Sequence, residues 1–334
     1  MKILVTGAAG FIGSHVCDAL LAQGHEVAGL DNFASGKKEN LKAALAQPRF
    51  RLIEGSILDA GKMARSCRGA DVVYHLAVEC VRLSLGRPVH NHEVNATGTL
   101  LTLEAARRAR VRRFVYCSSS EIYGNTRDKL LSEASTLPEP VTVYGASKLV
   151  GEYYTKAYHR TYGMNTVLVR PFNTYGPREH GEGFLAELIP KFIIRALNDK
   201  PPVIYGDGKN SRDFTFISDT VRGIIAASAL AEKSPASVFN IAFGRAFSVS
   251  EIAALVLKLT GKSGLKPVHI ESRPGDVLHL HADTRLARKQ LGYHAQVPLE
   301  EGLKKTIQWF REHYPDPSLL LKKDKVRAWK EIEA

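Results

Sequence analysis

Short apolar runs, rich in β-branched residues, recur along the chain with helical stretches between them: KILVT at 2–6, EVAGL at 26–30, RLIE at 51–54, DVVYHL at 71–76, RFVYC at 113–117 and NTVLVR at 165–170. Strands alternating with helices at this spacing predict a parallel sheet covered on both faces. Between the first two runs, Phe11, Ile12, Val16, Ala19 and Leu20 keep helical spacing, and Gly24 closes the segment. Ser248 followed by Glu251 is a capping-box pattern opening a later helix, with Ile252, Leu255, Val256 and Leu259 on one face. Past residue 172 the rhythm changes: glycine and proline thicken in YGPREHGEG, DKPPVIYGDGKN and SRPGD, and helical pieces dominate. The expected architecture is a seven-stranded, mainly parallel, doubly wound α/β domain over residues 1–172, rejoined by about 217–242. A smaller α/β substrate domain over 173–334 packs on the carboxyl edge of that sheet, and the site lies in the cleft between them.

The first strand runs directly into Gly7, Gly10 and Gly13, in TGAAGFIGSH, and then into a helix. That order suits phosphate binding. The first glycine permits the turn, the second lets a pyrophosphate approach the backbone, the third packs helix on strand, and the helix N-terminus faces the phosphates. Asp31 stands at the end of the second strand, eighteen residues past Gly13. An acid there accepts hydrogen bonds from the adenosine ribose hydroxyls and repels a 2′-phosphate, which favours NAD over NADP.

The glycine spacing, with Tyr144 and Lys148 in VYGASK, resembles the extended short-chain dehydrogenase/reductase family, in particular its nucleotide-sugar epimerases, dehydratases and decarboxylases. The resemblance runs through YHLA (74–77), VNATGT (94–99), SSSEIYG (118–124), YGASK (144–148), RPFNTYGPR (170–178), GDGKNSRDF (206–214) and RPGD (273–276), in that order. It implies a Rossmann-type domain whose NAD contacts come from Gly7, Gly10, Phe11, Ile12, Gly13, Asp31, Asn32 and Leu76, with Ser56 and Ile57 flanking the adenine. Asn95 supports the cofactor from the helix after the fourth strand, and Tyr144 and Lys148 also touch it.

By the same resemblance, Tyr144, Lys148 and Ser119 are the catalytic set. Oxidising an alcohol requires a base within hydrogen-bond reach of the hydroxyl while hydride leaves for the nicotinamide. Bringing a phenol from ~10 to near 7 takes about 4 kcal/mol of preferential stabilisation of the phenolate. Lys148 lies one helical turn beyond Tyr144, where its ammonium can reach the phenol region and the nicotinamide ribose together. Alone, the two would read as an ordinary i,i+4 surface pair; Ser119 at the end of the preceding strand supports the catalytic reading. In extended chain Glu121 falls on the same side as Ser119. It is either a base for the C5 proton, as in relatives that dehydrate, or a structural group at the mouth of the site.

For the substrate, the resemblance assigns Arg212 and Arg273 to a diphosphate and Asn173 to a backbone and phosphate contact. Asp276 either reaches a nucleotide ribose or caps a turn, and Arg178 and Lys191 are weaker candidates. The chain departs from the family after His75, where VECVRLS is one residue short before Ser84, so Glu79, Cys80 and Val81 leave the sugar open. His75 itself reads as a structural strand-end residue. The leading reaction is C4 epimerisation through a 4-keto sugar. The rivals are 4,6-dehydration with Glu121 as base and decarboxylation of a uronic acid, and a non-enzymatic NAD sensor is the reading from a different class. The family also implies a homodimer formed by helices near 96–108 and 143–160.

Composition changes this picture little. The 334 residues are 44% hydrophobic and 24% charged, ordinary for a globular enzyme, and the net charge of +12 comes from scattered cations. The densest clusters, 107–113 and 322–330, read as solvated surface, so nucleic acid is not an expected partner. There is no signal-peptide pattern and no apolar run near the ~20 residues that cross a bilayer, so a cytoplasmic, membrane-free protein is expected. The four cysteines, Cys17, Cys67, Cys80 and Cys117, show no framework spacing. His279 and His281 lack a third partner, so no metal is expected.

Overall fold

The computed structural model describes residues 1–326. Its sheet has seven strands: β1 (Lys2–Thr6), β2 (Glu26–Asp31), β3 (Phe50–Glu54), β4 (Val72–His75), β5 (Arg113–Cys117), β6 (Thr166–Pro171) and β7 (Ser237–Ile241). They lie in the order β7-β6-β5-β4-β1-β2-β3, and every pairing is parallel. Four helices matter most for the site: α1 (Phe11–Ala22), α2 (Gly98–Arg108), α3 (Val143–Tyr162) and α4 (Ile217–Leu230). Alternation along β1 sends Ile3 and Val5 into one apolar cluster with Val16, Leu20 and Ile224, and Leu4 into the opposite one with Leu103 and Phe114. Both faces are therefore buried, as a parallel sheet requires.

The chain starts on β1, builds outward through β2 and β3, then crosses back to β4 on the other side of β1. That reversal opens a crevice beyond the carboxyl ends of β1 and β4, the place where doubly wound sheets bind ligands. The run DVVYHL stops as a strand at His75, and beyond it the Leu76 and Ala77 N–H groups both reach the Thr6 side-chain hydroxyl at 3.2 Å. Downstream of β6, short strands pair Ser211–Asp213 with Ala246–Ser248 and Val203–Tyr205 with Val268–Ile270. The capping box forms: Ser248 Oγ accepts from Glu251 N–H at 3.1 Å, and Ser248 N–H donates to Glu251 Oε2 at 2.6 Å.

Helix α3 carries Tyr144 and Lys148, and its placement is over-determined. Thr142 caps it, accepting from Gly145 N–H at 3.1 Å. At Gly151 a Cβ would meet the Tyr116 hydroxyl at 2.1 Å, so only glycine lets the helix lie this close to β5. Farther along, buried Glu152 takes a bidentate grip from Arg170 on β6, at 2.8 and 2.7 Å. Arg170 also donates to the Tyr123 hydroxyl at 2.7 Å, which in turn donates to Asn240 Oδ1 on β7 at 2.8 Å.

The densest basic cluster, 107–113, is largely paired. Arg107 and Arg108 bridge to Glu104, Arg112 and Arg113 to Glu232, and Lys323 to Glu182. The part of the 322–330 cluster past residue 326 lies outside the described residues. His279 bonds Ser211 and His281 the Gly244 carbonyl, and no metal-holding group of His, Cys, Asp or Glu occurs among the described residues. Replacing Glu152 with Ala should leave the Arg170 charge buried and unpaired, costing about 3–5 kcal/mol in urea-induced unfolding. A loss below about 1 kcal/mol would mean that the pair does not hold α3 to the sheet.

Candidate active site

The turn after β1 is built for close backbone approach. Gly7 has φ +69°, and a Cβ on it would meet Ala77 N at 2.7 Å; one on Gly13 would meet the Gly7 carbonyl oxygen at 2.0 Å. Gly10 caps α1 without a side-chain hydrogen bond, leaving the first-turn N–H groups facing the crevice. Beside this turn, a cleft with about 440 Å³ of empty space is bordered by Gly7, Asp31, Asn32, Ser56 and Ile57. Asp31 is held in place by Ala9 N–H on Oδ2 and Phe33 N–H on Oδ1, both at 2.8 Å. Burial pushes its carboxyl up, and these backbone donors oppose the shift. The turn, the uncapped helix start and the acid at the rim of this cleft fit an adenine dinucleotide.

Asn95 does not border that cleft. Its amide is engaged by the chain after β4: Oδ1 accepts from Glu79 N–H at 2.9 Å, and Nδ2 donates to the Glu79 carbonyl and Asn91 Oδ1, both at 3.0 Å. Asn95 braces the segment carrying Glu79, which forms part of the cleft wall.

A second cleft, with about 1210 Å³ of empty space, continues from the first and is bordered by Phe11, Ile12, Leu76, Ser119, Tyr144 and Lys148. Ser119 follows β5 and stands beside the Tyr144 phenol, which it favours in the ionised form. Its Oγ also accepts from Glu121 N–H at 3.2 Å, capping a turn of 3-10 helix over Ser120–Tyr123. The extended-chain alternation expected for Ser119 and Glu121 is therefore wrong in its premise. The turn, and not a strand, brings both to the cleft.

Burial raises the Tyr144 phenol above its ordinary range, against the lowering contributed by Ser119. Burial also lowers the Lys148 ammonium to about 8. That ammonium bonds the Cys117 carbonyl and lies 4.7 Å above the Tyr116 ring, and it borders the same cleft as the Tyr144 phenol. His75 sits between the Thr6 and Thr99 hydroxyls at 2.8 and 3.0 Å, fully buried, a structural position.

The third cleft holds about 1010 Å³ of empty space, and its polar wall converges on Asp276. Asp276 Oδ1 accepts from Arg212 at 3.0 Å and Arg273 at 2.9 Å, and Oδ2 accepts from Asn210 at 2.9 Å. Asp276 thus orients two guanidinium groups, a role distinct from both the ribose contact and the turn cap considered for it. Arg273 Nε and Asn173 Oδ1 are buried without a partner on this wall. Lys191 also borders the cleft and donates to the Lys325 carbonyl at 2.9 Å. Arg178 does not; it pairs with Asp18 at 2.7 Å. Sequence reasoning missed Arg82 and Glu187, which pair across the cleft at 2.8 and 2.5 Å. Arg82 stands in VRLS, inside the segment whose length departs from the family, and that departure was the available signal.

Residues 3–242 match the family model of the NAD-dependent epimerase/dehydratase family. The chain belongs to that family. It is 36% identical to a UDP-glucose 4-epimerase of Mycolicibacterium smegmatis over 93% of this chain and 99% of that protein. Two solved structures superpose with a TM-score of 0.88 at 35% identity. One is a dTDP-glucose 4,6-dehydratase from Streptomyces venezuelae with NAD bound, covering 94% of this chain and 98% of that one. The other is a UDP-glucuronic acid 4-epimerase from Bacillus cereus in complex with NAD and a fluorinated UDP-glucuronic acid, covering 94% and 100%. The protein is an NAD-dependent enzyme of this family.

Two outcomes follow for the family member described here. Asp31 at the rim of the adenosine cleft should make NAD+ bind more tightly than NADP+, and calorimetric affinities that are equal or reversed would reject it as the ribose contact. Tyr144→Phe removes one hydroxyl from a buried site, so it should keep the fold and NAD binding while lowering turnover about 100-fold or more. Near-normal turnover would remove Tyr144 from the chemistry.

Proposed function

We propose that the protein is an NAD-dependent nucleotide-sugar 4-epimerase. The observation that carries this reading is the continuity of the second and third clefts. Tyr144 and Ser119 border one, Arg212 and Arg273 the other, and Val81, Glu121, Asn173 and Glu187 border both. A ligand with a diphosphate at the guanidinium end reaches the phenol with its sugar.

On this reading Arg212 and Arg273, fixed by Asp276, grip the diphosphate as guanidinium forks. Ser119 orients the sugar C4 hydroxyl, and Tyr144 takes its proton. Bound NAD serves as acceptor and then donor of the C4 hydride. Lys148 provides positive charge near the phenol, which lowers its proton affinity once a cationic ring adds to it. The 4-keto sugar turns in the cleft, and Tyr144 returns the proton to the oxygen as the opposite configuration forms.

Dehydration is the second reading, and Glu121 favours it. Glu121 borders both clefts, and burial pushes its carboxyl up against the pull of Arg212 and Arg273, the direction that suits a group exchanging protons with a substrate. We further infer a cytoplasmic homodimer. Support comes from four free cysteines and from Tyr153 and Tyr162 of α3, exposed to 62% and 53% on a helix that packs against α2. No described helix is long and apolar enough to cross a membrane.

Solvent hydrogen separates the reactions. In heavy water, one of a panel of UDP-, dTDP-, GDP- and CDP-hexoses should give a C4 epimer with no deuterium on any ring carbon, because the same hydride returns. Deuterium at C5, with activity lost in Glu121→Gln, would replace the epimerase by a dehydratase. Carbon dioxide released from a UDP-uronic acid would replace it by a decarboxylase, and tight NAD binding without any turnover would point to a sensor.

A further inference from the structure

The junction between the diphosphate wall and the tyrosine has its own charge. A sugar linking the two ends has to pass between Val81, Glu121, Asn173 and Glu187, the residues that border both clefts. None of these is a cation, and two are carboxyl groups.

Nearby guanidinium groups each pair with a carboxylate, and the donor left open, Arg273 Nε, lies on the diphosphate wall. Arg82 donates to both oxygens of Glu187 and to the carbonyls of Phe184 and Leu185 at 3.0 and 2.9 Å, so its donors are directed into the 184–187 loop. Arg212 and Arg273 converge on Asp276. Glu187, by contrast, keeps 40% of its side chain open, facing the cleft. Burial opposes its ionisation, but Arg82 outweighs that and holds the carboxyl below its ordinary value, so it is an anion at neutral pH.

We propose that the sugar position of this cleft selects an uncharged hexose, and that Glu187 is the residue that turns away a hexuronic acid. The inference rests on the nucleotide-sugar reading above and deepens it. A uronate carboxylate entering this junction meets the open edge of the Glu187 carboxylate, whose partner Arg82 directs its donors into the 184–187 loop, and no cation stands among the four residues shared by the clefts. A neutral hexose instead offers hydroxyl donors to the open carboxylate edge. Glu187 is a specificity residue here; no proton or hydride moves through it.

The test is binding to the full-length, NAD-loaded Tyr144→Phe protein, in which turnover does not confuse affinity. UDP alone, UDP-glucose and UDP-glucuronic acid are titrated by calorimetry. UDP-glucose should bind about 30-fold or more tightly than UDP-glucuronic acid, the scale expected when like charges are forced together. Adding Glu187→Gln should narrow that ratio to within about fivefold, while Glu187→Asp keeps most of it and UDP alone binds all three forms alike. Equal or tighter binding of the uronic acid overturns the inference and leaves the family reaction standing, as does a ratio that Glu187→Gln leaves unchanged. Failure of UDP and both sugars to bind, and of their dTDP, GDP and CDP counterparts, overturns the nucleotide-sugar reading together with the inference. Selective binding of UDP-glucose, with no C4 epimer made by the wild-type enzyme, upholds the inference and overturns the proposed reaction.

Discussion

The buried ion pair between Glu152 and Arg170 is the constraint on which the catalytic geometry rests. Taking both charges out of water is costly, and a bidentate contact with further hydrogen bonds is what makes such a pair tolerable. Arg170 meets that requirement through Tyr123, and Tyr123 through Asn240, so one polar network joins α3, β6, the turn after β5 and β7. Two segments of that network carry the chemistry. Helix α3 bears Tyr144 and Lys148, and the turn capped by Ser119 ends at Tyr123. The relative position of serine and tyrosine is therefore fixed behind the site, by groups that never face the cleft.

The clefts repeat this principle with opposite sign. Arginines that must present donors to a ligand would, if left loose, lose much side-chain freedom on binding. Asp276 holds two of them and Glu187 a third, so the cationic wall is preorganised. The carboxylates doing this also reduce the net positive charge offered to a diphosphate, so orientation is gained at some expense in raw attraction. Buried polar atoms left without partners, Arg273 Nε and Asn173 Oδ1, lie on this wall, which is where a ligand would complete them.

Local spacing carried the legible part of the molecule. The strand runs, the glycine turn, Asp31 and the Tyr144–Lys148 pair each express their geometry within a few residues or one strand-helix unit, so the chain alone shows them. What escaped depends on long-range partners. Arg82 and Glu187 are 105 residues apart, and Arg212 and Asp276 are 64 apart, and no periodicity links either pair. Glu121 was brought to the cleft by the right neighbour for the wrong reason: period-two alternation presumes a strand, whereas Ser119 ends the strand by capping a turn. Asn95 likewise stands in a motif that signals its presence, but its partners, Glu79 and Asn91, become visible only once the loop after β4 is folded.

An epimerase of this kind has contradictory needs: the nucleotide end must be held firmly while the keto sugar turns over. The distribution of polar groups suits that division. Oriented guanidinium groups are concentrated at the Asp276 end of the continuous cleft, whereas the residues at the junction include Val81 and few donors. At the far end, Tyr144 is buried and its phenol is raised by desolvation, so the chain by itself keeps the base protonated. Lys148 adds charge at the edge of the cleft while bonded to the Cys117 carbonyl. Cationic charge brought in with a bound cofactor would oppose that shift and favour proton abstraction. A cleft that restrains its own base in this way avoids idle proton exchange, and it leaves the tightly held diphosphate and the loosely held sugar to decide which carbon faces the phenol.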